Sequence, residues 1–340
     1  MVAEGSAPAE VIKLSQNENA YGASPRALKA IETHYPAVFR YPDILHKELV
    51  YKLAKKHNLT PEHIIVSAGS VALMDMSIKS FVDFDENIVT AEITFPGYKT
   101  MAKINRRTCK FVELVDNTID LNGILARCDE KTKLVFIANP NNPTGTIVTH
   151  SDLKSFLQEV SPAVYVVVDE AYAEYVDDGG YPDSLELLKE FPNLIILRTF
   201  SKIYGLAGLR IGYAMGRPNV IGALVQHKTP FSLNSLAAVA ASAALDDTEF
   251  VEKCAALNAQ QRSYLHKEFL RAGFKPTLSQ GNFIYVEFNT PGDSERVFDR
   301  LKDAGVIVRP LARFGAENAL RITIGRPEEN EDLVAVLRRM

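Results

Sequence analysis

The sequence has little cysteine and no long apolar run, and both absences exclude whole classes of protein. Its three cysteines are scattered and show no C-x-x-C spacing, so we expect buried free thiols in a reducing compartment rather than a disulfide framework. No apolar run reaches the roughly eighteen residues of a membrane-spanning helix. The first residues, MVAEGSAPAEVIK, lack the basic and apolar segments of a signal peptide. We therefore expect a cytoplasmic protein with no membrane partner.

The charge balance also lacks a basic excess. The formal net charge of the 340 residues is −4, which argues against a nucleic-acid partner. Hydrophobic residues make up 46% and charged residues 24%, as in folded globular proteins. The length predicts one large domain with a smaller one. No metal is expected.

Three stretches of the chain share one design. LVFIANPNNPTG (134–145), VYVVVDEAYAEY (164–175) and LIILRTFSK (194–202) each begin as an apolar, largely β-branched run and end in polar groups. Runs of that kind are typical of strands buried on both faces of a parallel sheet. Parallel strands bring their carboxyl ends to one edge, where open α/β sheets bind ligands. The polar groups are therefore expected to meet in one crevice.

The spacing of apolar and turn residues predicts an α/β protein. Strands and helices alternate up to about residue 215, which indicates a mostly parallel central sheet with helices on both faces. The rest of the chain is typical of a smaller α+β domain. We predict an N-terminal segment (1–34) that joins the small domain, a large domain (35–230) and a small C-terminal domain (231–340).

Some local boundaries also follow from the sequence. A helix is predicted from Pro25 to about His34, with Ser24 as its N-cap. A strand is predicted over 86–95, so that Phe95 closes it. The helix over 150–160 has Ser151 or Thr149 as its cap.

Two residues at the predicted strand ends suggest covalent chemistry. Lys202 is either an ordinary surface lysine or a partly desolvated amine that forms a bond to an aldehyde. Asp169 is either a helix N-cap or a buried carboxylate that pairs with a cation. A protonated pyridine nitrogen is one such cation, and pyridoxal phosphate needs both a lysine and an acidic partner.

Other residues near the predicted crevice have weaker signals. If the chain there is helical, the side chain of Tyr172, three residues after Asp169, lies on the same side of the helix as that of Asp169. It and Asn142 could hydrogen-bond a phenolate oxygen, although an asparagine in such a turn often bonds its own backbone. The S-A-G-S turn (67–70) precedes a helix and could hold a phosphate at the helix N-terminus. Phe95 is a core residue or a ring that stacks on a flat ligand.

Two arginines in the C-terminal part suggest an anion site. Strand alternation puts Arg321 on the face opposite Leu320 and Ile322. Arg309 occupies a similar position in V-I-V-R-P. Surface ion pairing is the simpler interpretation, but two arginines on neighbouring strands would bind a carboxylate or phosphate bidentately.

Seven ordered motifs together resemble those of histidinol-phosphate aminotransferases, a family of class-II aminotransferases with the fold-type I pyridoxal-phosphate architecture. The resemblance runs from about residue 11 to the end of the chain. The motifs are N-E-N-A-Y-G (17–22), R-Y-P-D (40–43), N-P-N-N-P-T-G (139–145), D-E-A-Y (169–172), R-T-F-S-K (198–202), G-L-A-G-L-R-I-G-Y (205–213) and L-R-I-T-I-G (320–325).

The resemblance implies pyridoxal 5'-phosphate as cofactor and a role for each candidate residue. Lys202 would bond to the cofactor aldehyde and move protons, and Asp169 would hold the ring nitrogen. The other cofactor contacts implied are those of Tyr172, Asn142, Phe95, Ser201, Arg210 and the amides of Ser70 and Val71. Tyr41 would reach the cofactor phosphate from a second subunit, so a homodimer with shared sites is implied. Substrate binding would fall to Tyr21, Asn142, Arg309 and Arg321.

The sequence departs from the family in the phosphate loop, where Gly69-Ser70 is followed by Val71-Ala72 rather than by an acidic pair. The stretch before the N-E-N motif is also short. Backbone amides survive the change, so cofactor binding is still expected, while substrate preference stays open. The alternatives are an aromatic aminotransferase using phenylalanine or tyrosine with 2-oxoglutarate, and a phosphothreonine decarboxylase. A non-catalytic regulator is disfavoured because Lys202 is present and residues 1–15 are too short for a DNA-binding domain.

Overall fold

The computed structural model describes residues 11–339. These residues form fifteen strands and twelve α-helices, together with short 3-10 turns. The strands are β1 (Ile12–Lys13), β2 (Ile64–Ser67), β3 (Asn87–Ala91), β4 (Thr108–Val112), β5 (Leu114–Val115), β6 (Thr118–Ile119), β7 (Thr132–Ala138), β8 (Tyr165–Asp169), β9 (Leu194–Thr199), β10 (Gly212–Gly216), β11 (Lys275–Pro276), β12 (Phe283–Glu287), β13 (Val306–Ile307), β14 (Arg309–Pro310) and β15 (Ala319–Thr323).

The helices alternate with strands as far as β10 and then dominate the chain up to β11. They are α1 (Pro25–His34), α2 (Lys47–Lys56), α3 (Ser70–Phe81), α4 (Gly97–Ile104), α5 (Leu121–Arg127), α6 (His150–Glu159), α7 (Ser184–Glu190), α8 (Pro218–Gln226), α9 (Ser235–Leu245), α10 (Thr248–Arg271), α11 (Pro291–Asp303) and α12 (Pro327–Leu337). Within residues 11–339, no helix combines the length and apolar character needed to cross a membrane.

The central sheet has seven strands in the order β2-β10-β9-β8-β7-β3-β4. Only β10 runs against the others in this sheet, because it pairs antiparallel with both β2 and β9. Alternate side chains of each central strand enter different cores: Val135 of β7 packs with α1, α2, α6 and α9, whereas Phe136 packs with α3, α4 and α8. Burial on both faces explains the continuous apolar runs. The predicted α/β class with helices on both faces is confirmed.

The C-terminal part builds a separate four-stranded antiparallel sheet, in the order β11-β12-β15-β14. Its core contains residues of α10, α11 and α12 and also Leu14. β1 pairs in parallel with β13, so the N-terminal segment lies against this part of the chain. Helix α9, by contrast, packs with the seven-stranded sheet. The division at residues 35 and 231 stays a prediction.

The local boundaries agree with the sequence except in one place. Ser24 caps α1 by accepting a hydrogen bond from the amide of Ala27, and Thr149 caps α6 in the same way. Strand β3, however, ends at Ala91 rather than at Phe95. Its neighbours β4 and β7 end at Val112 and Ala138, so beyond Glu92 no strand of the described chain is left to pair with. The loop that carries Phe95 is instead held by the side chain of Asn141 in the N-P-N-N-P-T-G loop.

Candidate active site

The three polar strand ends meet as predicted. Strands β7, β8 and β9 are parallel neighbours in one register, with Ala138 beside Asp169 and Asp169 beside Leu197. A cavity of about 380 Å³ lies beyond their carboxyl ends. Most of the predicted site residues line it: Ser70, Val71, Phe95, Asn142, Asp169, Tyr172, Ser201, Lys202, Arg210, Arg309 and Arg321.

Asp169 is a buried carboxylate at the floor of the cavity. Its Oδ2 accepts a hydrogen bond from the hydroxyl of Tyr98 at 2.9 Å, whereas its Oδ1 is buried without a partner among residues 11–339. Burial raises the pKa of this carboxyl to about 6, although the Tyr98 hydrogen bond opposes the rise. An unpaired buried oxygen of this kind favours a cationic N–H partner.

Lys202 and Tyr172 lie together above that floor. The Lys202 amine donates to the backbone oxygen of Gln16 at 3.3 Å and lies 5.5 Å from the centroid of the Tyr172 ring. Tyr172 does not continue a helix. It precedes a 3-10 turn over Ala173–Tyr175, and its hydroxyl accepts a hydrogen bond from Asn17 at 3.0 Å. The Lys202 amine and the Tyr172 phenol therefore both line the cavity, although Tyr172 does not lie on a helix.

A buried ion pair fixes the turn that carries these groups. Glu170 directly follows Asp169, and its carboxylate binds Arg198 of β9 at 2.7 Å. The hydroxyl of Ser184 donates to the other oxygen of Glu170 at 2.5 Å. The Glu170 side chain is 1% exposed, so removing Arg198 would leave its buried charge uncompensated.

One end of the cavity has the chemistry of a phosphate site. Helix α3 begins at Ser70, so the amides of its first turn have no intrahelical acceptor. Gly69 precedes it with φ of +87°, and a Cβ there would lie 2.7 Å from Nη2 of Arg210. Arg210 also donates to the Ser201 hydroxyl at 3.3 Å. A helix N-terminus, a hydroxyl and a guanidinium thus converge, as anion sites require.

Phe95 forms one wall of the cavity. Its ring stands edge-on to that of Tyr98, with centroids 5.6 Å apart. A Cβ on Gly97 would lie 2.2 Å from the Phe95 ring, so only glycine permits this ring position. The wall therefore depends on the F-P-G-Y turn rather than on the end of a strand.

The opposite end of the cavity carries the predicted arginine pair. Arg309 of β14 stands beside Arg321 of β15 in the antiparallel register. Arg321 is 4% exposed; its Nη1 donates to Oδ1 of Asn142 at 2.6 Å and its Nη2 to the backbone oxygen of Ser15 at 2.9 Å. Burial, with a smaller contribution from Arg309, lowers the pKa of Arg321 to about 10. No carboxylate within the described residues pairs with it, which favours an anionic ligand.

Two predicted site residues lie outside this cavity. Tyr41 is exposed, and its ring centroid is 4.8 Å from that of Phe231. The Tyr21 hydroxyl is buried without a partner among residues 11–339, and its ring packs against the core that contains Val135. Their assigned roles stay predictions.

Three further residues that the sequence patterns do not single out also line the cavity. Asn17 holds the Tyr172 hydroxyl and also bonds Thr323 of β15, so it ties the N-terminal segment to both sheets. The sequence feature that could have indicated Asn17 is its place at the start of the N-E-N-A-Y-G motif. Tyr98 follows Phe95 by three residues, which places the two rings on one side of the turn. Phe314 comes from a 3-10 turn that sequence patterning does not reveal.

The chain matches the family model of class I and II aminotransferases over residues 9–337. It therefore belongs to the class I and II aminotransferases, whose cofactor is pyridoxal 5'-phosphate. It is 41% identical to "Histidinol-phosphate aminotransferase 1" of Mannheimia succiniciproducens, over 96% of this chain and 89% of that protein. It is 40% identical to the histidinol-phosphate aminotransferase of Caldicellulosiruptor saccharolyticus, over 97% of this chain and 92% of the relative.

Solved structures give the same result for the fold. The histidinol-phosphate aminotransferase of Sinorhizobium meliloti, in complex with pyridoxal-5'-phosphate, superposes with a TM-score of 0.90 at 27% identity. The match covers 97% of this chain and 91% of that one. The predicted fold-type I architecture is confirmed.

Proposed function

We propose that this protein transaminates L-histidinol phosphate with 2-oxoglutarate, giving imidazole acetol phosphate and L-glutamate, as a step of histidine biosynthesis. The names of the two relatives, which are 41% and 40% identical to this chain, support this substrate. The observation that carries the proposal is a buried arginine, Arg321, which has no acidic partner among residues 11–339 and lies in the same cavity as Lys202 and Asp169. The three unpaired cysteines support a cytoplasmic location.

The residues of the cavity fit pyridoxal phosphate. The Oδ1 of Asp169, which has no partner among residues 11–339, suits a protonated ring nitrogen, and the amides of Ser70 and Val71 with Ser201 and Arg210 suit the phosphate. Asn142 and Tyr172 would bind the phenolate oxygen. Phe95 would stack on the ring.

When bound, the cofactor supplies an aldehyde that takes up the substrate amine and a ring that withdraws electrons from the neighbouring carbon. Lys202 would hold the aldehyde before substrate arrives. Its Nζ, once free, would take the proton from the substrate Cα and return it on the side of the cofactor. Asp169 would hold the ring nitrogen in its protonated form. Tyr172 keeps its orientation through Asn17.

The substrate end of the site must serve two anions in turn. Histidinol phosphate carries a phosphate where glutamate and 2-oxoglutarate carry carboxylates. A guanidinium binds both groups bidentately, so Arg321 and Arg309 can serve each half-reaction. Tyr21 does not line the cavity, so its part in substrate binding stays a prediction.

An aromatic amino-acid aminotransferase is the second candidate. The aromatic side chains of Phe95 and Phe314 both line the cavity and would suit a phenyl ring as well as an imidazole. Initial rates with histidinol phosphate, phenylalanine and tyrosine, each with 2-oxoglutarate, separate the two. We expect the highest kcat/KM with histidinol phosphate. A higher value with either amino acid would overturn the proposed substrate, and turnover without 2-oxoglutarate would favour a decarboxylase.

We also propose a homodimer with shared active sites. Its support is an exposed apolar face on one side of the chain. Tyr41 touches Phe231 on this face, and Ile44, Tyr51 and Val225 line one groove beside it. Contiguous apolar surface of this kind is typical of interfaces. The exposed apolar residues of the face are Tyr41, Ile44, Leu45, Tyr51, Val225 and Phe231, and the exposed Val38 and Phe39 lie just before Arg40 and Tyr41 in the chain.

Replacing Phe39 by glutamate should therefore split the dimer. A charge within the proposed apolar interface would be desolvated without a partner, so the association constant should fall by at least about 100-fold. Sedimentation would show monomers, and activity would be lost because Tyr41 no longer reaches the other site. Phe84→Glu is the matched control, since Phe84 is 74% exposed against 75% for Phe39 and each ring carries an arginine. A Phe39→Glu protein that remains dimeric would contradict this interface.

A further inference from the structure

We propose that Tyr98 is a positioning residue that holds the Asp169 carboxylate ionised and turned toward the cavity. The proposal rests on the proposed cofactor role of Asp169. Tyr98 lies outside the seven motifs and has no role among those that the family resemblance implies.

The geometry of Tyr98 carries this inference. Its hydroxyl is buried and donates to Oδ2 of Asp169 at 2.9 Å, and that oxygen is thereby occupied. Oδ1, the remaining oxygen, is buried and unpaired among residues 11–339, in a residue that lines the cavity. The phenol thus decides which oxygen of the carboxylate is left for a ligand.

Packing holds the Tyr98 ring itself in place. It stacks on Phe136 of β7, with centroids 4.8 Å apart and an angle of 5° between the rings. Phe95 packs edge-on against it at 5.6 Å. Because both contacts fix the ring, the donor reaches Asp169 without a loss of rotamer entropy when a ligand binds.

The charged and titratable groups around Asp169 are few. Burial raises the pKa of Asp169 most and Glu170 on the same turn adds to the rise, whereas the Tyr98 hydroxyl, the Ala171 amide and Lys202 lower it. Two further phenols, those of Tyr172 and Tyr181, lie close enough to interact with this cluster. Of these groups, Tyr98 forms the side-chain hydrogen bond to the carboxylate.

The test is the affinity of the ligand-free protein for pyridoxal phosphate, measured by fluorescence titration across a range of pH. The ratio of the dissociation constants of Tyr98→Phe and wild type cancels the cofactor's own ionisations, which both proteins share. Without the phenol, the pKa of Asp169 should rise by at least about one unit, since a hydrogen bond to a charged group contributes that much. The carboxylate is then protonated over a wider acidic range, so the ratio should grow roughly tenfold between about pH 8.5 and about pH 5.5.

A residue that only fills space would weaken binding by the same factor at every pH. A ratio that does not change with pH would therefore overturn the proposal. In an Asp169→Asn background, the Tyr98→Phe ratio should lose its pH dependence, and a dependence that persists would also contradict it.

Tyr165→Phe is the matched control. Tyr165 lies on β8 and stacks on Phe81, with ring centroids 3.8 Å apart, away from the cavity. The ratio of the dissociation constants of Tyr165→Phe and wild type should stay near one across the pH range. Wild-type protein that binds no pyridoxal phosphate would defeat the proposed function itself, whereas a flat ratio with normal wild-type binding defeats only the role of Tyr98.

Discussion

Replacing Lys202 by alanine is expected to abolish transamination, with a fall in kcat of at least about 10⁴-fold. The amine performs two tasks in the proposed mechanism, since it holds the cofactor aldehyde and moves the substrate proton. Its only hydrogen bond among the described residues is to the Gln16 backbone, so its loss should leave the fold intact. The purified variant should also lose the visible absorbance of cofactor bonded to the protein. Steady-state rates and an absorbance spectrum check both results.

Lys133→Ala is the control for this experiment. Lys133 lies near the amino end of β7, at the end of the strand opposite the cavity, and its amine is 3.7 Å from Glu86. Its replacement should leave both rate and spectrum unchanged. Normal turnover in purified Lys202→Ala protein would refute the assignment of the amine.

The second large effect is expected at Arg321. Its replacement by alanine should lower kcat/KM about 100-fold for the amino donor and for 2-oxoglutarate alike, because one guanidinium binds both anions. It is buried and holds Asn142, so the melting temperature must be measured beside the rates. Arg321→Lys keeps the charge but loses the planar fork, and should recover only part of the activity.

Two neighbouring arginines serve as comparisons for Arg321. Arg309→Ala should have a smaller effect, since Arg309 is more exposed to water. Arg313→Ala should have none, because this exposed residue does not line the cavity. A loss confined to one half-reaction of Arg321→Ala would contradict the shared anion site.

The sequence predicts the floor of this site well because backbone rules determine it. Continuously apolar runs require a parallel sheet, and a parallel sheet brings Asp169 and Lys202 to one edge. Alternation along a strand likewise puts Arg321 on the face opposite Leu320 and Ile322, and the register places Arg309 beside it. The phosphate loop follows the same logic: α3 begins at Ser70, so the change at Val71 leaves the backbone amides in place.

Other features could not be predicted because side-chain contacts between distant segments decide them. Phe95 lies in a loop that is held by the side chain of Asn141 from another turn. Tyr172 is oriented by Asn17, which is 155 positions away in the chain. The Tyr98 hydrogen bond to Asp169 depends on the stacking of Tyr98 on Phe136. No local pattern of apolar and polar residues encodes such contacts.

In the proposed function, the ends of β7, β8 and β9 hold pyridoxal phosphate with its aldehyde on Lys202. Reduction of the cofactor-loaded protein with borohydride, followed by proteolysis and mass spectrometry, tests it most directly. We predict that the pyridoxyl phosphate mass is found on the peptide containing Lys202. Its attachment to any other lysine, or its absence from the loaded protein, would contradict the account.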